Sequence, residues 1–106
     1  LTALAVTGAK RSPLLPDVPT LRASGMKNFE LYSWYGLWAP ANLPPAIVKQ
    51  LDEASSRIMA QPDMKSKLET FGFESAYKNS ANFAKFIDAE TARYKVVIEK
   101  ANITVD

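Results

Sequence analysis

Four side chains near the start of the sequence have the types and spacing to meet a small ligand: Thr7, Asp17, Thr20 and Ser24. Thr7 closes the apolar run "LTALAVTG", which reads as a buried, parallel strand. Open α/β sheets bind ligands just outside the carboxyl ends of such strands. Asp17 and Thr20 lie in "PDVPT", at the start of a short helical segment, "PTLRASG", that Gly25 ends. A helix N-terminus offers free N–H groups and the positive end of a dipole, which suits an anion such as a carboxylate. Asp and Thr beside proline are also ordinary turn formers and caps. Asp17 therefore has two readings, as a cap or as an acceptor for an ammonium or hydroxyl on a solute. Lys10 and Arg11 stand beside this loop, either drawing in an anion or lying solvated at a strand end.

The rest of the inventory excludes most catalytic chemistry. The chain has no Cys and no His, so it holds no thiolate nucleophile, imidazole base or Cys/His zinc site. It has no glycine-rich phosphate loop, no metal-spaced set of carboxylates and no nucleophile motif, so neither enzyme, metal nor cofactor is expected. A net charge of +2 is too small for a nucleic-acid surface, and hydrophobic (47%) and charged (23%) fractions match a soluble globular protein. No run of 18 apolar residues is present, and "LTALAVTG" lacks the charged start of a signal peptide. A chain beginning in a strand-like segment fits a cut piece of a longer one.

The elements that must position these residues follow in order. Pro13, Pro16 and Pro19 make the connection after Gly8 a stiff, directed path. "FELYSWYGLWAP" concentrates aromatics around Gly36 and reads as strand. Trp34 and Trp38 share one strand face there; stacking a ring or sugar is possible chemistry, and packing in a core is the preferred reading. Pro44 and Pro45 belong in a first helical turn, with Asn42 as the expected cap and Ile47, Val48, Leu51, Ala54, Ile58 and Met59 on one face. Pro62 opens a second helix that Gly72 closes. "FESAY" reads as a short strand, and Ser80 as the cap of a long last helix with Phe83, Ile87, Thr91, Tyr94, Ile98 and Ala101 in one stripe. The order β, loop, short α, β, α, α, β, α predicts an α/β class, a small sheet covered by helices. That sheet is thin for so many apolar faces.

"LTALAVTGAKRSPLLPDVPTLRASG" followed by "SWYGLWAPANLPPAIVKQL" resembles the C-terminal third of the tripartite tricarboxylate transporter substrate-binding proteins, the Bug-type periplasmic receptors. In that family a strand of the type "LRALAVT" leads through "KRS" and "PDVPT" to a short helix, then "WYGLFAPAGTP" and closing helices. The likeness runs in order over essentially the whole chain. One departure is Ala23, which stands where the family usually has a glutamate between "PTL" and Gly.

The resemblance implies a C-terminal fragment of a two-lobed, periplasmic-binding-protein-like (type II) fold that closes on its solute. Residues 1–30 would be part of the second lobe and the hinge return, and residues 31–106 the C-terminal part of the first lobe. The proline-ordered path would then lie near the crossing between lobes, and the surplus apolar faces would meet the missing N-terminal part of the receptor. The resemblance further implies a periplasmic location, a small organic anion (a carboxylic acid or acidic amino acid) as solute, and a membrane permease as partner. Asp17 and Thr20 fall in the motif nearest the cleft, with Thr7 as the third candidate. The alternative is an interaction module whose exposed helical faces are the functional surface. On either reading the isolated chain is expected to self-associate.

Overall fold

The computed structural model describes residues 1–104, and three helices carry its regular structure. Helix α1 spans Pro45–Ala60, α2 Pro62–Thr70 and α3 Ser80–Ala101. Pro45 and Pro62 each occupy a first helical turn, where the missing N–H has no intrahelical partner to lose. Gln61 is the C-cap of α1 and the N-cap of α2, so a single extended residue (φ −67°, ψ 135°) separates them. Helices α1 and α2 pack against each other.

The helix ends follow local chemistry, with two corrections. Asn42 does not cap α1; it sits in a turn at φ +65°, and Pro44 is the N-cap residue. Asn tolerates that left-handed backbone better than other side chains. Ser80 is the first residue of α3, and the cap is Asn79, whose side chain accepts from the Asn82 N–H at 2.9 Å. Glycine closes α2 as expected: Gly72 takes φ +76°, with Gly72 N–H donating to the Glu69 carbonyl and Phe73 N–H to that of Leu68. Those two bonds make a Schellman motif. Asn102 ends α3 in the same way at φ 50°.

The three expected strands are not formed as ladders among the described residues. "LTALAVTG" contributes one isolated parallel bridge, Val6 to Thr20, while "FELYSWYGLWAP" and "FESAY" run without strand pairing. A strand exists only through a neighbour, and beyond that bridge the one backbone bond between these segments is Leu31 N–H to the Thr7 carbonyl. "PTLRASG" forms a single turn, again closed by a Schellman pair: Gly25 N–H to the Arg22 carbonyl and Met26 N–H to that of Leu21. Gly25 has φ +109°.

Aromatic contacts tie the middle segment to α3. Trp34 meets Phe83 and Phe86 edge-on at centroid distances of 5.7 and 5.4 Å, and Trp38 meets Phe83 at 5.4 Å. Gly36 lies against the Phe83 ring: a Cβ there would collide with its tip and stand 2.8 Å from Cε1. Tyr35, on the opposite side of the segment, meets Phe73 at 5.4 Å.

The second tie to α3 is polar. The Asp52 carboxylate of α1 accepts from the Ser80 N–H at 3.0 Å and from the Ser80 hydroxyl at 2.7 Å, and Tyr77 donates to the Asp52 carbonyl at 2.9 Å. A carboxylate at a helix start satisfies an N–H that has no intrahelical acceptor and opposes the dipole favourably. Desolvation, and then the negative charge of Asp52, hold the Tyr77 hydroxyl above its ordinary pKa of 10.0. Replacing Asp52 with Ala should lower the stability of the folded protein containing this chain by about 0.5–2 kcal/mol, the range for losing a side chain that binds a helix-start N–H. Urea unfolding measures this, and an unchanged midpoint would show that the Asp52–Ser80 tie contributes nothing.

Candidate functional site

The Val6–Thr20 bridge brings two of the three candidate residues together. Val6 N–H donates to the Pro19 carbonyl and Leu21 N–H to the Val6 carbonyl, both at 2.9 Å, so Thr7 emerges from the bridge beside the turn that Thr20 begins. Thr20 is the only buried residue among those described, 7% exposed. Its hydroxyl oxygen accepts from Ala23 N–H at 3.0 Å, and its carbonyl accepts from the Ser24 hydroxyl at 3.0 Å. Thr20, rather than Asp17, is thus the cap of this turn. The hydroxyl of Ser24 is also spent locally.

This turn differs from the free helix N-terminus expected from the sequence. Leu21 N–H is bound to Val6 and Ala23 N–H to Thr20, which leaves few donors for an anion. Asp17 is exposed and makes no hydrogen bond or ion pair among the described residues. Its loop is held by others: Leu15 N–H donates to the Ser12 carbonyl, and the Arg11 guanidinium donates to the Pro16 carbonyl at 2.9 Å. Arg11 therefore braces the proline-rich path. Lys10 is exposed.

The end of the apolar run is fastened from the other side. Leu31 N–H donates to the Thr7 carbonyl at 3.0 Å, and Ala9 N–H donates to the Tyr32 hydroxyl at 2.7 Å. The Tyr32 ring also covers Gly8, where an added Cβ would lie 3.1 Å from Cε1. The N–H groups of Thr7 and Gly8 and the Thr7 hydroxyl donate to no acceptor among the described residues. Tyr32 went unread in the sequence because a tyrosine in an aromatic-rich run signals packing, and its hydrogen bond spans 23 positions.

Two open grooves lie elsewhere. One, about 570 Å³, runs past Val48, Asp52, Tyr77 and Ser80; the other, about 590 Å³, runs past Trp34, Trp38, Ile87, Tyr94 and Ile98. The second is the bare apolar stripe of α3, and neither includes Thr7, Asp17 or Thr20. Thr7 and Thr20 meet at the bridge, where the unspent donors lie, whereas the two grooves run along open faces of α1 and α3 and the segments packed on them. Among the described residues no group of His, Cys, Asp or Glu side chains is placed to hold a metal ion, and no helix is long and apolar enough to cross a membrane.

Comparison with known proteins decides the family. Residues 1–103 match the profile of the tripartite tricarboxylate transporter family receptor, TctC. The chain belongs to this family. It is a family of receptors and not of enzymes.

TctC relatives match along nearly the whole chain. The UPF0065 protein in the tcbD-tcbE intergenic region of Pseudomonas sp. (strain P51) is 34% identical over 99 residues, covering 92% of this chain and 30% of the relative. The UPF0065 protein in the gbd 5' region of Cupriavidus necator is 35% identical over 103 residues, 97% of this chain and 31% of its own. The solved structure of R. palustris Rpa4515 with adipate is similar at a TM-score of 0.84 and 32% identity, over 95% of this chain and 34% of that one. The chain therefore spans about a third of the length of the receptors it matches. The structural match supports the expected α/β fold for the receptor, while the piece described here is mostly helical.

Proposed function

We propose that the chain is the C-terminal part of an extracytoplasmic, periplasmic receptor that binds a small organic anion, a carboxylic acid or an acidic amino acid, for a membrane permease of the tripartite type. The likeness to an adipate-bound receptor along 95% of the chain carries this reading. Residues 1–30 would belong to one lobe with the hinge return, and residues 31–106 to the other.

The local geometry is compatible with carboxylate recognition by uncharged donors. Thr7 and Gly8 follow the bridged segment with free N–H groups, and the Thr7 hydroxyl is exposed beside them. Hydrogen bonds from backbone N–H groups to an anion are charge-assisted and need no buried counter-ion. Asp17 takes the role of a specificity residue in this reading, accepting from an ammonium or hydroxyl on the solute, because the cap belongs to Thr20. Thr20 holds the turn against Val6 and so sets where Thr7 stands.

Calorimetric titration of the receptor containing this chain with adipate, glutamate and a neutral sugar tests the proposal. An organic acid should bind and the sugar should not. Asp17→Asn should weaken glutamate by about 1.5 kcal/mol or more, the scale of a charged hydrogen bond, and spare adipate. Binding of the sugar with no response to either acid would refute the reading.

A further inference from the structure

Three links connect α3 to the end of the bridged segment. Arg93 Nη1 donates to the Glu30 carbonyl at 2.9 Å, across 63 positions of sequence. The Glu30 carbonyl and the Leu31 N–H belong to one peptide unit, and that N–H donates to the Thr7 carbonyl at 3.0 Å. A trans peptide aims its C=O and N–H in opposite directions, so this single rigid plane spans from α3 to Thr7. The next residue, Tyr32, holds Ala9 N–H and covers Gly8. Arg93 is itself oriented by Glu90, whose carboxylate lies 2.7 Å from Nη2 with a side chain only 15% exposed. The ring of Tyr94 lies under the guanidinium at 5.1 Å.

We infer that Arg93 is a positioning residue of the solute site, clamping the Glu30–Leu31 peptide and through it the Thr7–Ala9 segment; this rests on the carboxylate-receptor reading above. The clamped peptide falls at the proposed boundary between residues 1–30 and 31–106. A guanidinium polarises the carbonyl it binds, and a polarised peptide donates more strongly through its N–H, so the two bonds reinforce each other. Without Arg93 the peptide can rotate, and the Thr7 and Gly8 donors lose their fixed aim.

The test uses the receptor containing this chain, with Arg93→Met, Arg93→Gln and the conservative Arg93→Lys. Amide hydrogen exchange at Leu31 and Ala9 should speed up by about tenfold or more in Arg93→Met, while α1 amides keep their rates, because a charge-assisted bond is lost locally. The adipate Kd should rise by about tenfold in the same variant. Arg93→Lys should recover part of both effects, since an ammonium still donates to a carbonyl. Unchanged Leu31 exchange, or faster exchange only in step with α1, overturns the clamp. Faster Leu31 exchange with an unchanged adipate Kd overturns the positioning role. If Arg93→Met does not fold, Arg93→Gln decides by the same two measurements. A wild-type receptor that binds no organic acid removes the carboxylate reading, and the exchange comparison then still decides the clamp.

Discussion

Replacing Phe83 with Ala will destabilise the receptor containing this chain by about 3–5 kcal/mol, the range for truncating a large aromatic side chain in a packed cluster. Phe83 is where the aromatic segment and α3 meet. Its ring touches Trp34 and Trp38 edge-on, stacks with Phe86 at 6.3 Å and lies against Gly36. Edge-to-face pairs of this kind contribute about 0.5–1.5 kcal/mol each beyond the area they bury, and truncation removes two of them. Trp34→Ala and Trp38→Ala should each fall in the same range, since each removes a ring that meets Phe83 edge-on. Gly36→Ala supplies the complementary test, because its Cβ and the Phe83 ring cannot occupy the same space. That substitution should be costly alone and much less so when Phe83 is already Ala, a coupling that only residues in contact show. Chemical unfolding of the two single variants and the double variant measures it. Additive costs would place Gly36 and Phe83 apart and break the cluster as described.

At tens of micromolar the isolated 106-residue chain will not sediment as a compact monomer. Its radius of gyration is 17.2 Å, against about 13 Å for a compact domain of this length. Its accessible surface is 9048 Å², where a folded protein of this mass exposes about 5,900 Å². Among the described residues no hydrophobic side chain is fully buried, and Trp38, Tyr35 and Phe71 are 66%, 80% and 75% exposed. The stripe of α3 remains bare along Tyr94 and Ile98, 39% and 45% exposed. Apolar patches of that extent find partners, and a second copy supplies the same elements. Sedimentation velocity distinguishes the cases, and a compact monomer would overturn the expectation. The same measurement on the receptor containing this chain separates a missing lobe from an interaction module. Burial of the stripe within the receptor should leave it monomeric, whereas a module would still associate.

Local chemistry alone determined much of this protein. Pro45, Pro62 and Gly72 bound α1 and α2 because missing N–H groups and left-handed backbone are properties of single residues. Gly25 ended the first turn for the same reason. The motif order from "LTALAVTG" through "PDVPT" to "WYG" was enough for the family, because a family is a linear pattern. The absence of Cys and His likewise needed no coordinates.

Tertiary structure decided whatever depends on a partner distant in sequence. The apolar runs promised strands, but a ladder requires a neighbouring backbone, and the described residues supply one bridge, Val6 to Thr20. Asp52 reaches the start of α3 across 28 positions, and Arg93 reaches Glu30 across 63. Asp52 and Arg93 sit on helices as ordinary charged residues, and nothing in their spacing announces a target. The roles of Asp17 and Thr20 also turned on geometry. Both can cap a turn by residue type, and only the position of the Thr20 hydroxyl, 3.0 Å from Ala23 N–H, assigned the cap to Thr20 and left the Asp17 carboxylate exposed. Residue type states which bonds a side chain can make, and the fold selects among them because only it sets which groups come within reach.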